Sequence, residues 1–463
     1  MKVLHVPFVY HPDPVGGTEV YVTGLVTALR PLGIDGAVAA PALGGGAQVY
    51  EHDGTTVYRF EGGPVTSIAD VYGEGDPVAA AAIDRALAES RADVLHLHAF
   101  TAAASLRALR AARRRGLAVA FTYHTPTASC VRGTLLRDGV EPCDGELLEQ
   151  RCASCLLESR GAGAPVRGVL SRVPPALTAA VGAAGLSGRW ITALRARELT
   201  RARHGAFRQL LREADAVVAV CEWVRSLLLR AGAEPSRLML SRQGTTPRPR
   251  PTSPNNPGTD GSLRLAFIGR LHPSKGVHVV IKALLSKPAL RTTLDIYGVL
   301  QGDEARGYHA ELLRLAAHDP RIRILDPVPA ADVVSTLSGY DATVVPSQWL
   351  ETGPLSVLES FAAGVPVIGS NLGGVAELVQ HDRAGWLVPS ANEGAWASAL
   401  ERFASDRTLV QRLASGVSRP RSTHDVARDM ASVYEAIVPT RHRSSRDLRA
   451  IERQAGPEPV GAV

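Results

Sequence analysis

Two glutamates eight positions apart, Glu351 and Glu359, bracket the run Glu351-Thr352-Gly353-Pro354-Leu355-Ser356-Val357-Leu358-Glu359, which follows Pro346-Ser347-Gln348-Trp349-Leu350. Pro354 suits the first turn of a helix and Gly364 its C-terminal cap, so a loop gives way to a helix between the two carboxylates. At helical rise they stand roughly 12 Å apart, more if the loop is extended. The backbone N–H groups of Leu355 and Ser356 open that helix, where unpaired donors and the helix dipole favour an anion. Two carboxylates so placed can grip hydroxyls on either side of a diphosphate. The plainer alternative makes Glu351 a loop carboxylate and Glu359 a surface charge.

Three other groups fit the same chemistry. In Phe267-Ile268-Gly269-Arg270-Leu271-His272-Pro273-Ser274-Lys275-Gly276, Arg270 and Lys275 follow a strand and can neutralise a diphosphate, or form a solvated basic loop. Lys275 is one of only four lysines, with Lys2, Lys282 and Lys287, in a chain that otherwise uses arginine. Gly16 and Gly17 at the first strand-to-helix turn let backbone approach a ligand closely, although a lone Gly-Gly pair is a weak sign. His124, just past the strand ending Phe121-Thr122-Tyr123, is expected to project toward the same place. His96 and His98 share one strand face and read as core-edge histidines bonded to backbone. The dinucleotide G-x-G-x-x-G, the Walker P-loop and H-E-x-x-H are absent from the sequence.

Positioning these groups takes strands that alternate with helices. Strands are expected near residues 3–9, 94–97, 117–123 and 216–220, then 263–268, 293–297, 322–325, 342–346 and 365–369, with helices between them. That alternation implies parallel sheets covered on both faces. A Pro- and Gly-dense stretch at residues 247–262 reads as a linker, giving two Rossmann-like α/β domains, 1–246 and 263–420, that face a cleft. A helix is expected at 421–440, and the polar tail 441–463 is expected to be disordered.

The 463 residues are 45% hydrophobic and 21% charged, an ordinary globular composition that excludes fibrous and wholly disordered classes. The net charge of +6 is scattered, without an aromatic-interleaved basic stripe, so nucleic acid is not the expected partner. The N-terminal apolar run is too short for a signal sequence and no stretch reaches the ~20 apolar residues of a span, so a cytoplasmic setting is expected. The Arg-rich segment 189–212 reads either as a solvated helix or as a peripheral surface for lipid phosphates.

The Glu351 to Glu359 run, the Gly269-Arg270 to Lys275-Gly276 loop, Gly16-Gly17-Thr18-Glu19 and the stretch Gly369-Ser370-Asn371-Leu372-Gly373-Gly374-Val375-Ala376-Glu377 together resemble the retaining glycosyltransferases of family 4, which have the GT-B fold. The resemblance spans most of residues 1–440. It implies that the helix at 421–440 crosses back to the first domain, that the donor is a nucleoside diphosphate sugar, a UDP-sugar or a GDP-sugar, and that the acceptor is a hydroxyl, which the sequence leaves open among glycans, lipid-linked glycans and small metabolites. In that family's pattern Glu359 binds the ribose and Glu351 the transferred sugar, while Arg270 and Lys275 hold the diphosphate. Gly16, Gly17, Pro354, Leu355 and Ser356 line the phosphates, His124 contacts the sugar, and the chemistry needs no divalent metal. Where many members have an aromatic-Gly pair this chain has Thr352-Gly353-Pro354, which leaves the donor sugar open. A non-catalytic nucleotide-sugar sensor is the alternative.

Cys130, Cys143, Cys152 and Cys155 crowd one insertion, residues 128–212, with only Cys221 elsewhere. Their spacing suggests a structural Zn²⁺ holding an insertion with no core of its own, ahead of free thiols, a disulfide or an iron-sulfur cluster. Similar insertions occur in some family 4 members.

Overall fold

The computed structural model describes residues 1–13, 16–44, 46–63, 68–184, 188–248 and 261–438. The tail 441–463 and most of the stretch read as a linker, residues 249–260, lie outside these. Strands β1 (Lys2–Val6), β2 (Asp35–Pro41), β3 (Gln48–His52), β4 (Thr55–Phe60), β5 (Val94–Leu97) and β6 (Ala118–Tyr123) belong to the first sheet. A small hairpin of β7 (Leu136–Arg137) and β8 (Glu141–Pro142) stands apart from it, and β9 (Ala216–Ala219) and β10 (Leu238–Leu240) complete it. Its order is β10-β9-β6-β5-β1-β2-β4-β3, parallel except for β3 at the edge. The second sheet takes β11 (Leu263–Arg270), β12 (Thr292–Val299), β13 (Ile322–Leu325), β14 (Ala342–Val345), β15 (Val367–Ser370) and β16 (Gly385–Val388), all parallel, in the order β13-β12-β11-β14-β15-β16.

Strand order reverses beside β1 in the first sheet and beside β11 in the second, and ligands of open α/β sheets bind outside the carboxyl ends at such reversals. The central strands are apolar along their whole length because helices cover both faces. Every residue of β6, β9 and β14 is buried. Residues 35–60 form three strands that the sequence pattern left unassigned: β2 is a short buried run of alanine and valine between β1 and β4, while β3 and β4 interleave apolar with polar residues toward the sheet edge.

The insertion differs from the expectation of a coreless loop. Its helix Glu149–Glu158 packs on the long helix Ala196–Glu213 through a small apolar cluster of Ala153, Leu156, Leu157 and Ala196. The far end of the long helix puts Phe207, Leu210 and Leu211 into the core of the first domain. Several arginines in and beside it are paired or buried. Arg195 pairs with Glu198, Arg197 and Arg201 with Glu149, and buried Arg203 lies 4.4 Å over the Phe100 ring and donates to the Phe100 carbonyl. No described helix is long and apolar enough to cross a membrane.

The helix Thr423–Ile437 returns to the first domain. Ser422 caps it reciprocally with Asp425, and Val426, Ala427, Met430, Val433 and Tyr434 bury against Tyr21, Val22, Leu25 and Leu29 of the helix Gly17–Leu29. Met430 is fully enclosed there. Met430→Ala is expected to lower unfolding free energy by about 3 kcal/mol, the ordinary cost of emptying such a site, as measured by urea unfolding.

Candidate active site

The carboxyl ends of β1, β11 and β14 meet in one cleft. After β14 the loop 346–354 leads into the helix Leu355–Ala363, with Pro354 as the residue just before its first turn and Gly364 in the left-handed conformation at its end. After β1, Gly16 precedes the helix Gly17–Leu29, and its N–H donates to the Glu19 carboxylate at 2.8 Å, which holds the glycine turn in shape. The two helix starts oppose one another. A Cβ placed on Gly17 would lie 3.7 Å from Leu355 Cδ1, so backbone from both domains borders the same narrow space. Each helix start leaves its first N–H groups without intrahelical partners, and two such starts aimed at one place favour an anion.

Lys275 and Glu351 come together as a pair, Nζ to Oε1 at 2.6 Å, and the Ser347 hydroxyl donates to the same oxygen at 2.7 Å. Burial alone would raise the Glu351 carboxyl, yet the adjacent Lys275 ammonium, its hydrogen bond and that of Ser347 hold it below the ordinary carboxylate value. The loop that delivers Lys275 turns at Gly276 in the left-handed region. A Cβ there would sit 2.0 Å from the Pro346 carbonyl oxygen, so only glycine lets the two loops touch. Gln348 N–H bonds the Ser274 carbonyl at 2.7 Å and ties them further. Arg270 is exposed at the end of β11, with its guanidinium 3.5 Å from Gln301 Oε1.

Glu359 lines a cavity of about 570 Å³ between the helix Gly17–Leu29, Leu355, residues 244–248, Ala330 and Val334, and Thr423. Its carboxyl is pushed up to about 7 by burial, with Arg248 drawing it partly back. Glu351 and Glu359 therefore present opposite electrostatic characters to the cleft, one held ionised and one readily protonated.

The contacts that close the cleft carried no sequence signal, because they join residues more than 100 positions apart. The Glu377 carboxylate accepts from Glu222 N and Trp223 N, both at 2.8 Å, capping the helix Glu222–Arg230 of the opposite domain, and it pairs with Arg242 at 2.7 Å. Trp223 Nε1 donates to the Glu351 carbonyl at 2.8 Å, and Thr352 Oγ1 donates to the His124 carbonyl at 2.7 Å. His124 is buried, its ring within reach of His98 and Gln243. His96 and His98 are fully enclosed, and they bond side chains rather than backbone, because parallel strands already pair the main chain on both sides.

In the insertion all four cysteines are free thiols. Burial raises Cys143, Cys152 and Cys155, Cys152 to about 12, and the nearby Cys130 sulfur adds to the effect in all three. Cys130 is near enough to act on each of them, yet among the described residues only His5, His96 and His98 bring three ligand atoms within 4.8 Å of one another.

Two family profiles match in succession, the "Glycosyl transferase 4-like domain" over residues 16–242 and "Glycosyl transferases group 1" over residues 250–417. A D-inositol 3-phosphate glycosyltransferase of Corynebacterium glutamicum is 30% identical over 259 residues, 52% of this chain and 61% of that protein. The putative colanic acid biosynthesis glycosyltransferase WcaL of Escherichia coli is 27% identical over 247 residues, 50% of this chain and 59% of that one. The chain thus spans less than two thirds of these relatives' length. Among solved structures, HepE of Anabaena in complex with UDP and glucose superposes with a TM-score of 0.64 at 17% identity, covering 94% of this chain and 99% of that one. Sucrose-phosphate synthase of Thermosynechococcus elongatus gives 0.61 at 16%, covering 97% and 99%. The shared architecture is the GT-B fold.

A carboxyl raised in the folded chain keeps a proton that the unfolded chain has released. Glu359 therefore costs stability increasingly as pH rises from its ordinary 4.5 through about 7. Glu359→Gln is expected to match the parent's melting temperature at the acid end of that window and to exceed it above the window. Melts across the range check this, and a constant difference would mean that the carboxyl titrates normally.

Proposed function

Given that the chain belongs to the GT-B glycosyltransferases, we propose that it transfers a sugar from a nucleoside diphosphate sugar to a hydroxyl acceptor with retention of anomeric configuration. The observation that carries this reading is the convergence on one cleft of the Lys275–Glu351 pair, the helix start at Leu355 and Ser356, and Glu359. HepE, a neighbour in fold, is seen in complex with UDP and glucose and with UDP-glucose, which favours a uridine donor here.

In this reading Glu359 accepts from the ribose hydroxyls and Glu351 from hydroxyls of the transferred sugar. Lys275 keeps two ammonium protons beyond its bond to Glu351, and with Arg270, the Gly16–Gly17 turn and the N–H groups of Leu355 and Ser356 it meets the diphosphate. As the bond from the anomeric carbon to the diphosphate oxygen breaks, negative charge collects where these donors already point, so little reorganisation is needed. The acceptor oxygen bonds the anomeric carbon from the same face, and its proton passes to the departing diphosphate. Pro354 holds the approach to the helix start, so Leu355 and Ser356 keep their direction as the charge grows.

We also propose that Cys130, Cys143, Cys152 and Cys155 hold a structural Zn²⁺, supported by the gathering of raised thiols around Cys130 and requiring the sulfurs to draw together on binding. Peripheral membrane contact through the first domain is a further part of the reading, supported by exposed Trp190 beside Arg189.

A thermal-shift panel of UDP, GDP, ADP and dTDP is expected to show one stabilising nucleotide. Glu359→Ala should weaken its binding at least about tenfold, and Lys275→Ala should slow transfer about 10²–10³-fold. Parent-level binding and turnover in these variants would overturn the assignment. Purified protein is expected to carry about one zinc per chain; a metal analysis finding none, together with no uptake from added Zn²⁺, would exclude the cysteine site.

A further inference from the structure

Residues 159–197 of the insertion hold six arginines, Arg160, Arg167, Arg172, Arg189, Arg195 and Arg197, and no aspartate or glutamate. The whole chain's net charge is +6, so acidic and basic residues balance over the rest, and the excess is concentrated here rather than scattered as expected. Three of the six meet carboxylates from outside the segment: Arg167 with Asp138 at 2.9 Å, Arg195 with Glu198 at 2.7 Å and Arg197 with Glu149 at 3.6 Å. Arg160, Arg172 and Arg189 are exposed, and no carboxylate among the described residues pairs with them. Arg160 donates to the Tyr72 hydroxyl at 3.0 Å, Arg172 to the Gly168 carbonyl at 2.5 Å, and Arg189 lies 5.3 Å over the Trp190 ring.

The same segment folds into three short helices, Ala164–Leu170, Pro175–Ala183 and Arg189–Leu194, which cap the packed pair Glu149–Glu158 and Ala196–Glu213. Leu170 and Ala193 turn inward onto Ala153, Leu156, Leu157 and Ala196, and Thr178 donates to Glu198 at 2.9 Å. Large apolar side chains are left outside. Val166 and Val169, three apart on one helix face, are 46% and 67% exposed, Leu177 is 69% and Trp190 72%. Trp190 is the one exposed tryptophan of the chain's five. Single exposed aliphatic residues are ordinary, but these four fall in one stretch, residues 166–190, among unpaired arginines and without an acid.

Two features select the occupant of this surface. Apolar side chains spread singly among arginines fit a fluid that adapts around each of them, whereas a protein partner of fixed shape is met by a contiguous apolar patch. Guanidinium groups with no acid between them fit a surface of uniform negative charge, and tryptophan beside arginine suits the boundary between lipid headgroups and acyl chains. We propose that the outer side of this cap docks on an anionic lipid bilayer. Val166, Val169, Leu177 and Trp190 enter the headgroup region, while Arg160, Arg172 and Arg189 bind lipid phosphates. This deepens the membrane contact of the proposed function and rests on that part of the reading alone. Arg203 stands about 9 Å further along the long helix than Arg197 and donates to the carbonyls of Phe100 and Thr127. Thr127 belongs to the loop that begins at His124, so docking holds the first-domain edge of the cleft near the bilayer.

Cosedimentation of the full chain with lipid vesicles tests this. The chain is expected to bind vesicles of equal parts phosphatidylcholine and phosphatidylglycerol, to bind phosphatidylcholine alone at least about tenfold more weakly, and to weaken as salt is added. Arg160→Gln, Arg172→Gln and Arg189→Gln together should lower binding to the mixed vesicles about 10²-fold. Trp190→Phe should still bind, yet lose the quenching of tryptophan fluorescence that brominated lipids produce in the parent. All four positions are exposed, so the variants are expected to melt with the parent; the comparison of the two vesicle types needs no variant at all. Absence of binding to the anionic vesicles, equal binding to the neutral ones, binding that survives loss of the three arginines, or quenching that survives Trp190→Phe each overturns the proposal. Self-association of the parent that Trp190→Ala abolishes, without vesicle binding, would assign the surface to a second copy of the chain instead. A chain that binds vesicles as expected while no nucleotide shifts its melting temperature would count against the glycosyltransferase reading and leave the docking surface standing.

Discussion

Glu351 is claimed from both ends, and the cleft depends on it. Its carboxylate is buried against Lys275 and Ser347, while its carbonyl accepts from Gly374 N at 2.7 Å in its own domain and from Trp223 Nε1 in the other. A buried carboxylate without such partners would be expensive to keep ionised, so the side chain cannot wander. With the side chain held, the carbonyl is held, and the opposite domain docks on it. The charge that serves the donor and the contact that closes the domains are thus properties of one residue.

Around that residue both domains contribute the same kind of feature, a helix beginning at the carboxyl end of a central parallel strand. Parallel sheets with helices on both faces place these starts on one edge, so two such sheets set edge to edge enclose a space bordered by unpaired N–H groups. Glu377 uses the same physics in reverse, supplying a carboxylate to the helix start at Glu222 and Trp223 across the interface. The returning helix Thr423–Ile437 ties the arrangement from behind through Asp429, which accepts from Ser241 at 2.8 Å and pairs with Arg421 at 2.7 Å.

Part of the positive charge is spent inside the fold. Arginines are bound into the fold singly: Arg110 with Glu74 and Glu213, Arg321 with Asp319 and the carbonyls at the end of the helix Val277–Leu285, Arg203 beneath Phe100. Lysine, a compact charge with rotatable donors, stands instead at the half-buried position 275 beside Glu351, where a planar guanidinium would compete for both carboxylate oxygens.

Much was legible in the chain itself. The alternation of apolar runs with 3.6-residue periodicity, the Pro354 and Gly364 punctuation and the Gly276 turn are local matters of backbone geometry, so the two sheets and the helix starts follow from nearest-neighbour chemistry. Glu351, Glu359, Arg270 and Lys275 stood out because each sits beside such a local marker. The pairing of Lys275 with Glu351, the capping by Glu377 and the small core of the insertion carried no mark. Each joins residues tens to hundreds of positions apart, and a hydrogen bond or an ion pair depends on distances of a few tenths of an ångström that only packing sets. Sequence by itself determined which groups stand beside a helix start or a glycine turn; the tertiary structure decided which of them touch and which stay ionised despite burial because a partner is packed beside them.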